Sequence, residues 1–204
     1  MKLFYAPGAC SIGIHVLMEE IGKPYECVAV NLREGAQYKP EYTSVNPKSK
    51  VPTVVDDAGT VRTEYPAIAY WLARTNPYAN LLPDGIDEQA KVLELMDFCV
   101  ATIHMQGFTR IFRASNFSPS ASDEAAVKAR GTEIAEKGFA ALDKALAGKE
   151  YAVGKFSIAD SALFYVEYWA KRVSIPLPDN CAAHLERMLK RPAVERTLKA
   201  EGLA

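Results

Sequence analysis

The chain has 204 residues, 49% of them apolar and 24% charged, with a formal net charge of −1. That suffices for one large domain or two small ones. The balance, with no basic block, excludes a nucleic-acid surface or an anionic membrane face as partner.

No apolar run approaches the roughly 20 residues that span a bilayer. The chain goes directly into a strand pattern without a basic leader segment, so a cytoplasmic location is expected. Its four cysteines (Cys10, Cys27, Cys99, Cys181) are scattered and contain no CxxC pair, so neither a disulfide framework nor a zinc site is suggested. The histidines (His15, His104, His184) lie far apart, and metal chemistry is not expected.

The chain opens with Leu3-Phe4-Tyr5, an apolar run that suits a buried strand. A breaker loop follows, Ala6-Pro7-Gly8-Ala9-Cys10-Ser11, and then Ile14, Val16, Leu17, Met18 and Ile21 at helical spacing before Gly22 as C-cap. Strand, tight loop and helix make half of a βαβ unit. The loop brings Cys10 to a helix N-terminus, where backbone N–H groups and the helix dipole stabilise an anion. A cysteine there is expected to ionise more easily and attack more readily. The alternative is a small buried hydrophobe, the commoner fate of a lone cysteine.

Tyr25–Leu32 alternates as a second strand, and Arg33–Val45 is polar and weakly helical. Asn46-Pro47-Lys48-Ser49-Lys50 makes a turn. Val51–Val55 reads as a strand with Pro52 near its start, Asp56-Asp57-Ala58-Gly59 as a hairpin turn, and Thr60–Thr63 as the return strand. Pro52 fits either as a cis residue with Val51 facing outward or as a trans residue on an edge strand. Glu64 to Ala73 opens a helix, with Pro66 tolerated in its first turn.

A linker over 77–86 separates this part, 1–76, from a second part, 87–204, in which no strand pattern of comparable quality appears. There, Asp87–Arg113 carries an apolar stripe through Val92, Leu95, Met96, Cys99, Val100 and Ile103, and Ser115–Ser122 breaks it. Asp123–Ala147 is a second amphipathic helix in which Gly131 and Gly138 mark close helix approach. Ser157-Ile158-Ala159-Asp160 reads as a capping box. Two shorter helices follow, Asn180–Lys190 and one from Pro192 onward.

The stretches Tyr5–Ser11, Asn46–Pro52, Thr63-Glu64 and Ser157–Asp160, in this order and spacing, resemble a cytosolic glutathione transferase. Cys10, in place of a serine or tyrosine, is similar to the bacterial beta class. The resemblance implies an α/β plus all-α protein: a thioredoxin-like βαβ-ββα glutathione-binding domain, then an all-helical domain that completes the electrophile site. Glutathione would be the co-substrate and a small apolar electrophile its partner, in a cytoplasmic homodimer serving detoxification. Pro52 would be the family's cis proline, and Val51 would pair its backbone with the cysteinyl part of glutathione. Glu64 and the N–H of Tyr65 would receive the γ-glutamyl end. Cys10 would meet the glutathione sulfur, by hydrogen bond or mixed disulfide. His104, catalytic by this correspondence, would face the site from the long helix; the alternative is a core or interface histidine.

The chain departs from the family pattern at three places. Tyr65 and then Pro66 follow Glu64 where Ser or Gly is usual, Asp97 stands where Asn is common at the glutathione site, and Met105 replaces a familiar lysine. They favour a rival, a non-catalytic or weakly catalytic relative that carries apolar ligands. Thiol–disulfide exchange or peroxide reduction at Cys10, and narrowed glutathione-dependent chemistries such as dehalogenation or isomerisation, also stay open.

Overall fold

The computed structural model describes residues 1–118 and 120–204; the expected break at Ser115–Ser122 contains Pro119, which lies outside the described residues. By packing, the chain divides into Met1–Leu82 together with Met188–Ala204, and Pro83–Arg187.

The first unit runs β1 (Lys2–Tyr5), α1 (Ser11–Ile21), β2 (Glu26–Ala29), two single 3-10 turns, α2 (Pro40–Thr43), β3 (Thr53–Val55), β4 (Val61–Thr63) and α3 (Tyr65–Thr75). The expected βαβ-ββα order is therefore present, with β2, β3 and β4 each shorter than its sequence pattern. The sheet order is β2-β1-β3-β4, with β1 and β2 parallel and the other pairs antiparallel. α1 is buried over most of its surface, with Ile12, Ile14, Val16, Leu17 and Met18 all in the interior. Each such side chain contributes about 1.5–3 kcal/mol by leaving water. Gly22 ends the helix in the left-handed conformation (φ 71°), its N–H bonded to the Met18 carbonyl.

The second unit is helical: α4 (Ile86–Asp97), a π-helical run Phe98–Phe108, α5 (Thr109–Phe112), α6 (Glu124–Leu146), α7 (Ile158–Arg172) and most of α8 (Asp179–Leu189). Among the described residues no strand follows β4. The helix expected over Asp87–Arg113 widens at its centre, where the buried positions Cys99, Ile103 and Gly107 fall four apart. Gly131 allows the close approach read from the sequence: a Cβ there would lie 2.7 Å from the Gly107 carbonyl oxygen.

The capping box is formed: Asp160 Oδ2 accepts from the Ser157 N–H at 2.7 Å, and Ser157 Oγ accepts from the Ala159 N–H at 3.3 Å. Asp160 Oδ1 also accepts from the Ala152 N–H (2.7 Å) and faces His184 Nε2 (3.2 Å), while His184 Nδ1 faces Glu167 Oε2 at 2.7 Å. Burial pushes Glu167 up to about 7. Burial opposes charge on His184 as well, but Glu167 and Asp160 outweigh it and raise the imidazole to about 9.

The last helix, α9 (Pro192–Ala200), belongs with the first unit, so Met188–Ala204 lie outside the helical unit although the sequence pattern had assigned all of 87–204 to it. α9 buries Ala193, Val194 and Leu198 in the first unit, and charge pairs with α1 accompany the packing: Arg191 Nε donates to Glu20 Oε1 at 2.8 Å and Arg196 Nε to Glu19 Oε2 at 2.5 Å.

Candidate active site

The site grows from the loop between β1 and α1. Ser11 closes it, its Oγ accepting from the Ala6 N–H at 3.1 Å and donating to the Ala6 carbonyl at 3.3 Å. Gly8 sits at φ 67°, and its N–H donates to Glu201 Oε2 at 2.8 Å. Cys10 is therefore held at the first turn of α1 by contacts on both sides.

Its thiol is half-buried and donates to the Val51 carbonyl at 3.5 Å. The Val51–Pro52 peptide is cis. A buried polar frame fixes the turn that carries it. Tyr42 Oη donates to the Lys50 carbonyl at 2.5 Å, and Asn46 Nδ2 donates to that carbonyl and to Thr53 Oγ1, both at 2.8 Å.

The acidity of Cys10 runs against the expectation from its position. Burial, the largest influence, pushes the thiol up to about 12; the backbone N–H groups of Cys10 and Ser11 and the Lys50 charge pull it down, and the Glu64 charge adds to the rise. At neutral pH Cys10 is a neutral S–H donor. The helix N-terminus is real, but its influence loses to desolvation.

Glu64 opens α3 at φ 68°, a left-handed conformation uncommon for a residue with a side chain. Its carboxylate does not cap the helix and instead accepts from Lys48 Nζ at 2.8 Å; the same ammonium reaches Thr63 Oγ1 at 2.9 Å. The turn and the start of α3 are thus tied together. Tyr65 is 4% exposed, so its side chain belongs to the buried interior of the unit. Cys10, Val51, Pro52, Glu64 and Tyr65 all lie in the first unit.

Asp97 and His104 lie in the second unit. Asp97 is exposed at the end of α4. His104 is in the π-helical run, half-buried, with Nδ1 3.3 Å from Tyr165 Oη and its ring edge-on to Trp169 at 4.7 Å between centroids.

Sequence reasoning missed Lys48, Lys50 and Glu201. Two lysines flanking a serine directly before Val-Pro were a usable signal for the first two. Glu201 had none, because it reaches Gly8 across 193 residues of chain.

A family model described as glutathione S-transferase, N-terminal domain, matches residues 8–75. Glutathione S-transferase GstA of Escherichia coli O157:H7 is 36% identical over 208 aligned residues covering all of both chains. The bacterial beta class glutathione S-transferase of Sphingomonas chungbukensis superposes with a TM-score of 0.86 at 37% identity, over the whole of both chains. A sphingomonad glutathione S-transferase solved with glutathione gives 0.85 at 36% identity, again over both whole chains. With full-length identity at this level and the same fold, the chain belongs to the cytosolic glutathione transferase family and resembles its bacterial beta class.

Proposed function

We propose that the chain is a working glutathione transferase in which Cys10 stabilises the glutathione thiolate by donating a hydrogen bond. The observation that carries this is the Cys10 thiol set against the Val51 carbonyl beside a cis Pro52, at about 12 too weak an acid to be a resting thiolate. The groups around it fit the tripeptide. Val51 offers backbone to the cysteinyl part, and Glu64 offers a carboxylate to the γ-glutamyl ammonium, with Tyr65 beside it at the start of α3. We assign Asp97 and His104 of the helical unit to the same site on the family correspondence alone.

In this mechanism the glutathione thiol loses its proton to solvent water, and the resulting thiolate accepts from the Cys10 S–H. The sulfur attacks an electrophilic carbon of a small apolar substrate; the carbon–sulfur bond forms as the bond to the leaving group breaks and the leaving group takes the electron pair. Binding holds the two reactants together and supplies effective concentration. Thiol–disulfide exchange at Cys10 is disfavoured, because its thiol, pushed up by burial, faces a backbone carbonyl rather than a base. The protein would act in the cytoplasm as a homodimer, in detoxification.

The test pairs calorimetric titration with reduced glutathione and turnover of 1-chloro-2,4-dinitrobenzene, for wild type and Cys10→Ala. A hydrogen bond to a charged acceptor contributes about 1.5–3 kcal/mol, so Cys10→Ala should keep glutathione binding and lose roughly tenfold to hundredfold in kcat. Absence of both binding and turnover in the wild type would instead support the binding-protein alternative. That result would mean Tyr65 and Asp97 are incompatible with glutathione.

A further inference from the structure

On the edge strand β2, away from the Val51 turn, a second cysteine stands in a built arrangement. Cys27 Sγ lies 3.6 Å from His15 Nε2, and His15 Nδ1 lies 2.9 Å from Glu201 Oε1. Cys27 is exposed, whereas the side chains of His15 and Glu201 are 1% and 0% exposed. The imidazole is wedged between Tyr5 and Tyr25, at ring distances of 5.5 and 5.8 Å. Glu201 is fixed from its other oxygen by the Gly8 N–H at 2.8 Å. A buried carboxylate thus orients a histidine whose second nitrogen faces a thiol, the order of a nucleophile, its base and the base's orienting group. The thiol opens into a groove of about 600 Å³ lined also by Met18, Lys23 and Arg196.

We propose that Cys27, with His15 as base and Glu201 as positioning residue, is a thiol–disulfide exchange site for small anionic disulfides, separate from Cys10. The neutral histidine donates from Nδ1 to Glu201 and accepts from the Cys27 S–H at Nε2. As His15 takes the proton, Cys27 Sγ attacks one sulfur of the disulfide. The Cys27–sulfur bond forms, the original sulfur–sulfur bond breaks, and the departing thiolate takes the proton back from His15. One disulfide is consumed and one made, so no outside oxidant is required. Among the groove's lining residues Arg196 is paired with Glu19 at 2.5 Å, so Lys23 is the cation this rim offers an anionic disulfide. Burial and the charges of Glu201 and Glu19 push the Cys27 thiol up, against a hydrogen bond from Tyr25, which gives the base its role. The proposal does not depend on transferase activity at Cys10.

The test uses the full chain carrying Cys10→Ala and oxidised glutathione as probe, with adducts located by peptide mass spectrometry. Expected is one adduct, on Cys27, forming at pH 7.5 at least tenfold faster in the folded protein than at Cys27 of the same chain unfolded in urea. Equal or slower reaction in the folded protein, or an adduct at Cys99 or Cys181 instead, overturns the proposal without bearing on Cys10. His15→Phe and Glu201→Gln should each slow the adduct at least tenfold. Glu201→Asp, which keeps the carboxylate, should restore part of the rate that a folded Glu201→Gln protein loses. Equal rates in the two folded variants would overturn the positioning role of Glu201.

Discussion

Alkylation of Cys10 by iodoacetamide measures directly which force governs the site. A cysteine that titrates near 8.5 is roughly a tenth ionised at pH 7.5. With Cys10 pushed up to about 12, only about three thiols in 100,000 are ionised at that pH, a loss of roughly three-thousandfold. A more basic thiolate is intrinsically more nucleophilic, with a Brønsted slope of about 0.4–0.5, which returns roughly fortyfold. Cys10 should therefore react about a hundredfold more slowly than a free thiol, and its rate should keep rising tenfold per pH unit beyond pH 9. The assay is site-resolved mass spectrometry over pH 6.5–10, with a cysteine peptide as the free-thiol reference. A rate at or above that of the peptide, levelling off near or below pH 8.5, would refute the reasoning. The helix N-terminus would then be the governing force, and Cys10 would be a nucleophile.

Three further outcomes follow from the interior. Asp160→Asn replaces one accepting oxygen with an N–H₂ group that faces two donors and removes a charge from His184; urea unfolding followed by tryptophan fluorescence should show a loss of about 3–5 kcal/mol. His184, raised to about 9, contributes stability that is full below the ordinary histidine value and lost as pH rises through 9. Glu167, raised to about 7, takes up a proton as pH falls through that value, so the Glu167–His184 pair is ionic only between the two. Calorimetric midpoints of wild type and His184→Gln should converge between pH 7 and 10. Gly131→Ala would gain about 1 kcal/mol of helix propensity on an open surface. Here the added carbon meets the Gly107 oxygen at 2.7 Å, so the urea midpoint should fall, by about 1–3 kcal/mol of stability.

The parts of the fold that were legible are those set by local pattern. An apolar run, a breaker loop and an apolar helix closed by glycine suffice for β1 and α1. Ser157 and Asp160 suffice for a capping box, because its partners lie three residues apart. What stayed hidden depends on groups that sequence does not bring together. The π-helical widening at Phe98–Phe108 depends on what packs against Cys99, Ile103 and Gly107. The helix N-terminus, which is local, argues for an acidic Cys10, whereas burial, which the sequence does not display, pushes the thiol the other way. A helix end offers up to about 2 kcal/mol to a charge, whereas each tenfold change in ionisation is about 1.4 kcal/mol. A thiol held at about 12 therefore reflects a desolvation cost larger than a helix end can offset.

The same logic explains why the C-terminal helix sits with the first unit. A loop that carries a reactive group exposes backbone donors, and each buried donor left unmatched costs about 1–3 kcal/mol. The Gly8 N–H finds its acceptor in Glu201, which in turn needs α9 in register along α1, and that register is held by Arg191 on Glu20 and Arg196 on Glu19. The position of the Cys10 loop is therefore set in part by ion pairs on the opposite side of α1's sequence neighbourhood, made by residues from the far end of the chain. Because Glu201 also holds His15 at 2.9 Å, one buried carboxylate orients both the Cys10 loop and the base facing Cys27. Removing its charge must disturb two thiols at once, whereas removing either thiol leaves the carboxylate's remaining contacts in place.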